Sequence, residues 1–256
     1  MGRDKGEAMM RDSNDFVDVL ISTLSQIVGL KSIRLASVDR APRLQRRVET
    51  DPSTDLLIAQ AREIALNGGA PFWHALFRLA GELPSGVPAS VVAAAAFHQN
   101  VVSEPDDHLQ VADGFANLLR RRLEQGDEKT MVMLTSELGM SDGSVRHLPM
   151  LDFSVKEVRP GAEASVRRII EELGEPGLLV ASGRSFHFFG ARALPESSFR
   201  EFLARALLFT PLTDERWIAH QLVGDKASLR ISMSDKQLTP VPIGSVVPAI
   251  GRERRS

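Results

Sequence analysis

The chain of 256 residues is long enough for two modest domains or one large one, and its 43% hydrophobic content supports a buried core. Its 31 basic and 33 acidic residues leave a formal net charge of -2, so nucleic-acid binding would have to rest on local patches instead of a global positive field. The lack of cysteine excludes disulfides and thiolate metal sites. No stretch approaches the roughly 20 apolar residues of a membrane span or resembles a signal peptide, which predicts a cytoplasmic protein without membrane contact.

The first part of the chain, residues 1–126, is predicted to be helical. Its apolar residues recur at three- and four-residue spacing, and glycine, proline and asparagine interrupt the pattern where helices end and begin. Such a helical region also offers a surface for a protein partner. The pattern predicts five helices, from Phe16 to a stop at Gly29, from Asp51-Pro52 to Asn67, from Pro71 to Gly81, from Pro88 through Phe97, and from Asp106 to Gln125.

The second part, residues 127–245, combines strand and helix patterns, so the fold class is predicted to be α/β (α+β), a helical N-terminal region plus a mixed-sheet domain. Residues 246–256 are predicted to form a disordered tail. Strands are predicted at 131–134, at 147–155, on both sides of the loop 182–185 and at 227–233, with helices ending near Gly174, spanning Glu196–Leu208 and beginning after Thr213-Asp214.

The run from Ser182 to Gly190 carries the strongest functional signal. A Ser-Gly-Arg turn lies between two apolar strands, and such a turn offers backbone N–H groups and a guanidinium, the donors that a phosphate requires. His187 follows within the second strand. On the residues alone, a histidine in a buried strand is more often a hydrogen-bonded core residue than a ligand, and both interpretations stay open.

Three segments together resemble a known family. Ser182 to His187 resembles the small-x-His motif of archaeo-eukaryotic primases and primase-polymerases, Met150-Leu151-Asp152-Phe153 their acidic strand, and Leu229-Arg230-Ile231-Ser232 with Lys236 their arginine segment. The segments are most similar to bacterial primase 1D-like proteins. The resemblance implies a primase-like domain over residues 127–245 that handles a nucleotide triphosphate or nucleic acid with Mg²⁺ or Mn²⁺.

The resemblance also implies roles for individual residues. Asp152 would be a catalytic metal ligand, and Ser185 and His187 would hold triphosphate oxygens. The phosphate-binding set implied in full is Ser182, Arg184, Ser185, His187, Arg230 and Lys236.

The acidic motif departs from the family pattern. Two-metal phosphoryl transfer needs at least two converging carboxylates, whereas Met150 or Ser154 stands where the partner acid of Asp152 would lie. Asp225 is the candidate for the third acid, although its surroundings indicate a polar turn, and Asp235 is a weaker candidate. We therefore expect a nucleotide- or nucleic-acid-binding protein with a degenerate primase-type site. The alternatives are an active metal-dependent primase-polymerase and a scaffold whose helical part binds a protein.

Overall fold

The structure is a computed structural model that describes residues 16–39, 52–97, 108–124, 130–233 and 239–248. These residues form two compact units. The first unit contains the described residues up to Asp39 and those from His108 onward, and the second contains residues 52–97. The mixed α+β class predicted from the sequence is confirmed, since the described residues include helices and two antiparallel sheets.

The first sheet is built around one long strand, β3, which pairs along its length with three others. Its described strands are β1 (Leu30–Asp39), β2 (His108–Gln110), β3 (Thr130–Met140), β4 (Val145–His147) and β8 (Ser228–Arg230). They lie in the order β2-β1-β3-β4, and β8 pairs with another part of β3. This arrangement brings Arg230 from late in the chain into the first sheet.

The second sheet positions the motif residues. Its order is β5-β7-β6-β9, all antiparallel. The central strands β6 and β7 consist of almost continuous apolar residues that are buried on both faces, as the sequence predicted around the loop 182–185. The described strands are β5 (Met150–Asp152), β6 (Gly177–Ala181), β7 (Phe186–Gly190) and β9 (Val241–Val246).

One continuous hydrophobic core joins both sheets with the helices of the first unit. Phe188 and Phe189 of β7 lie at its centre, and both are fully buried. The described helices of this unit are α1 (residues 16–25), α5 (Phe115–Glu124), α6 (Ala162–Leu173), α7 (Glu196–Ala206) followed by a 3-10 turn (Leu207–Phe209), and α8 (Glu215–Val223). No helix among the described residues is long and apolar enough to cross a membrane.

The second unit contains the helices α2 (Pro52–Leu66), α3 (Phe72–Gly81) and α4 (Ala89–Ala96). A proline directly precedes α3 and another precedes α4, which suits the turn into a helix because proline fixes φ. The three helices begin and end close to the residues predicted from the sequence. They enclose a hydrophobic core of their own, formed by Leu57, Ile58, Ala61, Ala75, Leu76, Ala80 and Val91.

The prediction of an entirely helical N-terminal part was wrong. Residues 30–39 form β1, which pairs with β3 over most of its length, and residues 108–110 form β2, so α5 begins only at Phe115. Ile33, Leu35 and Ala36 of β1 are buried. The strand β3, with which β1 pairs, comes about 90 residues later in the sequence. The two compact units consequently separate residues 52–97 from the other described residues, and no division lies at the predicted boundary near 126.

Other boundaries also differ from the prediction. The strand predicted at 147–155 is two short strands in different sheets, because the chain changes sheet at Leu148-Pro149. The predicted tail begins too early, since β9 extends to Val246, which is 3% exposed. Residues 249–256 lie outside the described residues.

Candidate functional site

Asp152 and His187 face each other across the second sheet. They are register partners in the antiparallel pair β5–β7, so their side chains lie on the same face of the sheet. His187 Nε2 lies 3.5 Å from Asp152 Oδ1. Met150 and Leu151 anchor β5 in the core at 0% exposure. Two residues that are far apart in sequence, and that the family resemblance singled out, are thereby brought together.

Asp214 is the neighbour of Asp152 on the other side. Phe153 and Thr213 form an isolated antiparallel bridge, and the Asp214 N–H donates to the Asp152 carbonyl at 3.0 Å. This pairing places residue 214 opposite residue 152, the arrangement in which cross-strand side chains are near neighbours. The Asp214 carboxylate also raises the pKa of Asp152. Asp152 therefore has an acidic residue paired with it on one side and His187 on the other.

From the sequence, Asp214 was placed only at the start of a predicted helix, the position of a helix cap. That role is confirmed, because Asp214 Oδ1 accepts the Trp217 N–H at 2.9 Å at the start of α8. Its second role was missed, since no motif spacing connects residue 214 to residue 152. The only available signal would have been the pairing of the segment around Thr213 with the end of β5, which is a tertiary contact.

Arg230 connects the two sheets beneath this face. Its side chain is on β8 of the first sheet and is 5% exposed. The guanidinium donates to the Ser182 carbonyl at 2.7 Å, beyond the end of β6, and also to the Ser232 carbonyl. Burial lowers the pKa of Arg230 to about 10, and Asp152 opposes that shift, so the group stays charged at neutral pH. Arg230 thus holds the loop 182–185 and supplies a fixed positive charge.

The electrostatic state of Asp152 and His187 follows from this environment. Burial raises the pKa of Asp152 well above its usual value, and Asp214 raises it further, while the Phe153 N–H and Arg230 oppose the shift. Burial, followed by the charge of Arg230, lowers the pKa of His187 to about 3. His187 is therefore neutral at physiological pH, and its buried Nδ1 has no hydrogen-bond partner among the residues that the structure describes. The Asp152 side chain keeps 27% of its surface exposed, so a ligand can reach it.

Three donors of the turn from Ser182 to Ser185 are hydrogen-bonded within the protein. The Ser182 N–H donates to the Ser185 carbonyl at 2.8 Å, and the Ser185 hydroxyl donates to the Phe153 carbonyl. The Gly183 N–H donates to Glu157 Oε1 at 2.9 Å. The Arg184 side chain is exposed at the tip of the turn. Of the predicted phosphate ligands in this turn, Arg184 is the one that extends into solvent.

The remaining predicted acid lies elsewhere. Asp225 is exposed, has a φ of 56° in the turn after α8, and forms an ion pair with Arg200 of α7. The charged groups that shift the pKa of Asp152 are Asp214 and Arg230. The turn predicted at Asp225 is thus present, whereas its assignment as the third metal-binding acid has no geometric support. Lys236 and Asp235 lie outside the described residues.

Carboxylates are the side chains that would hold a hard cation at this site. Among the described residues, no group of three or more His, Asp or Glu side chains is arranged to hold a metal ion. Magnesium commonly keeps several waters and binds through one or two carboxylates together with substrate phosphates. Asp152 and Asp214 provide two such carboxylates, and a cation between them would offset their mutual repulsion.

A comparison with known protein families agrees with this geometry. A family model described as AEP-like, archaeo-eukaryotic primase 1D-like, matches residues 111–243, about half of the chain. The matched segment contains Asp152, His187, Asp214 and Arg230. Comparisons with curated proteins and with solved structures gave no match.

Proposed function

The chain belongs to the archaeo-eukaryotic primase 1D-like family, and from this premise we propose that it is a nucleotide- or nucleic-acid-binding protein whose primase-type catalytic site is degenerate. The observation that carries this proposal is the burial of Met150. Residues two apart on a strand face the same side, so the position that would supply the partner acid of Asp152 is held by a thioether at 0% exposure. If Asp152 is instead the first acid of the motif, the second acid would stand at Ser154, which also lacks a carboxylate.

Under this proposal the site binds one divalent cation, Mg²⁺ or Mn²⁺, through Asp152 and Asp214. The cation supplies positive charge for the phosphates of the ligand. Arg184 pairs with a phosphate from the tip of its turn, and His187 acts as a neutral hydrogen-bonding group. Ser182 and Ser185 shape the turn, while Arg230 fixes its position and contributes charge. Lys236 keeps its proposed role as a phosphate contact.

The test is calorimetry of a nucleoside triphosphate, with and without Mn²⁺, on native protein and variants. We expect His187→Ala to weaken binding about tenfold, the factor that ~1.4 kcal/mol represents, and Asp152→Asn to remove the dependence on Mn²⁺. Matched controls are His108→Ala on β2 and Asp113→Asn in the following loop, both exposed in the first unit. Absence of binding by the native protein at millimolar nucleotide would reject the proposal and favour the scaffold alternative.

One observation favours the alternative of an active primase-polymerase. Asp214 supplies a second carboxylate near that of Asp152. The test of this alternative is primer synthesis and primer extension on DNA and RNA templates with Mg²⁺ or Mn²⁺. The degenerate site predicts no product above a control without protein. Product formation that Asp152→Asn abolishes would establish the enzymatic alternative instead.

A further inference from the structure

The turn after β6 is in contact with an acidic residue from another loop. Glu157 Oε1 accepts the Gly183 N–H at 2.9 Å, and the Glu157 N–H donates to the Arg184 carbonyl at 3.1 Å. Glu157 lies between β5 and α6, and its side chain is half-buried. Two hydrogen bonds in opposite directions therefore hold Glu157 against the turn.

A carboxylate at this position has the acceptor chemistry of a phosphate. Backbone N–H groups in turns bind anionic oxygens, and a guanidinium beside them adds charge-assisted donors. Gly183 has a φ of +96°, a conformation that L side chains rarely adopt, and its N–H points to the Glu157 carboxylate. The exposed Arg184 follows directly in sequence.

Basic residues lie close to Glu157 in sequence and in the hydrogen-bonded turn. Lys156 and Arg159 belong to the same loop as Glu157 and are exposed, as is Arg184 across the hydrogen bonds. These exposed side chains supply positive charge near the turn, and Glu157 supplies one carboxylate. The Glu157 carboxylate accepts the hydrogen bond of the Gly183 N–H, the backbone donor that an incoming anion would use.

We propose that the Gly183 N–H and Arg184 form a phosphate subsite and that Glu157 is its internal occupant, which a phosphate group of the ligand displaces. The inference rests on the proposed function, because it assumes that a phosphorylated ligand binds at this site. If Glu157 occupies the subsite in most molecules, only the remaining fraction is ready to bind phosphate. The apparent affinity is then the intrinsic affinity multiplied by that fraction. Removing the Glu157 carboxylate therefore tightens phosphate binding.

A purely structural role for Glu157 makes the opposite prediction. If the carboxylate only braces the turn, its loss disorders a phosphate site and weakens binding. Two variants separate these cases. Glu157→Gln keeps an acceptor for the Gly183 N–H but removes the charge, and Glu157→Ala removes both. Glu171→Gln on α6, an exposed position, controls for the change in net charge alone.

The experiment is calorimetry of the full chain with inorganic triphosphate and, separately, with a nucleoside triphosphate. We expect Glu157→Ala to bind both ligands on the order of fivefold more tightly than native protein, the factor that one net hydrogen bond is worth. Glu157→Gln should give a smaller increase and Glu171→Gln none, while Arg184→Ala should weaken binding. Thermal melting of each variant verifies that it is folded.

The outcomes distinguish this inference from the proposed function. If native protein binds the nucleotide and Glu157→Ala binds it no more tightly, the inference is wrong and the proposed function stands. If neither native protein nor any Glu157 variant binds a phosphorylated ligand, both are wrong. In ¹⁵N-labelled protein the Gly183 amide signal should shift in Glu157→Ala and shift again on addition of triphosphate. An amide signal that does not respond to triphosphate also contradicts the subsite.

Discussion

Asp152 has neighbours of opposite character on its two sides. His187 faces it across β7 as a neutral imidazole, and Asp214 faces it across the bridge between Phe153 and Thr213 as a second carboxyl group. Burial and the repulsion between the two acids disfavour the ionised form of Asp152. A bound divalent cation would offset this repulsion, as protonation of Asp152 also would, and on this ground we propose the pair as cation ligands.

Asp214→Asn tests the second carboxylate. Asparagine caps helices about as well as aspartate, so the bond from Trp217 to the cap side chain is retained and stability should change by less than ~0.5 kcal/mol. Nucleotide affinity in Mn²⁺ should fall about tenfold, and affinity without metal should not fall. Calorimetry and chemical denaturation measure the two quantities. Equal loss of affinity with and without Mn²⁺ would mean that Asp214 has no part in holding a cation.

His147 is a second buried histidine, and it lies in the first sheet. Its Nδ1 is 3.1 Å from the Ser136 hydroxyl oxygen, and its ring stacks on Phe199 with a centroid separation of 4.7 Å. Burial lowers the pKa of His147 below the ordinary value of 6.5, and Arg200 acts in the same direction, although Glu137, Glu196 and Asp225 oppose the shift. The folded protein thus keeps this imidazole neutral where the unfolded chain protonates it.

This shift predicts a dependence of stability on pH. Because the folded pKa of His147 is depressed, its contribution is complete above pH 6.5 and is lost as pH falls below that value. His147→Gln should therefore lose less stability than native protein between pH 7 and pH 5. His187 and Asp152 titrate in both proteins, so the difference between the two urea-denaturation series isolates His147. Parallel series would show that His147 titrates alike in the folded and unfolded states.

Helices and strands were predictable from the sequence where neighbouring residues in the chain carry the signal. The helices α2, α3, α4 and α8 have proline or aspartate at their starts and glycine or asparagine near their ends. The strands on both sides of loop 182–185 are nearly all apolar. In contrast, β9 contains Pro242 and Gly244, residues that weaken a strand prediction, and it forms because β6 offers it a free edge.

The candidate site was predictable from the sequence where its residues belong to a motif. Asp152 and His187 belong to recognisable motifs, and the structure pairs them. Asp214 and Glu157 were missed because their roles come from contacts between loops that are distant in sequence. Asp225 had a suitable sequence position, but the turn after α8 directs it to Arg200. Tertiary pairing decides these cases, and the spacing of residues does not encode it.

Close packing between β6 and β7 predicts that Gly177 tolerates no side chain. A Cβ there would lie 2.2 Å from the Phe189 carbonyl oxygen and 2.7 Å from the Gly190 Cα. Gly177→Ala should destabilise the protein by about 3 kcal/mol, the upper part of the range for overpacking. Gly81→Ala is the matched control, since nothing lies within 4 Å of a Cβ at that position. Urea denaturation compares them, and similar stability of the two variants would contradict the packing described for β6.

The described residues of the candidate site all belong to the first unit, whereas the second unit has a hydrophobic core of its own. Leu76 is fully buried in that core. Leu76→Ala should destabilise the second unit by about 2–5 kcal/mol and leave triphosphate affinity unchanged. Calorimetric unfolding and nucleotide titration measure the two effects. Loss of nucleotide binding in a variant that is still folded at the assay temperature would show that the second unit contributes to the site.

We propose that this primase-type site binds a phosphorylated ligand with one cation, whereas two-metal catalysis needs two cations. The most direct test counts the Mn²⁺ ions bound per chain, by electron paramagnetic resonance titration in the presence of a non-hydrolysable nucleoside triphosphate. Because free nucleotide also binds Mn²⁺, the count is taken relative to nucleotide alone. The account predicts one protein-dependent Mn²⁺ per chain, lost in Asp152→Asn and retained in Asp113→Asn. Two such ions would contradict the degenerate site, and none would contradict the assignment of Asp152 and Asp214 as ligands.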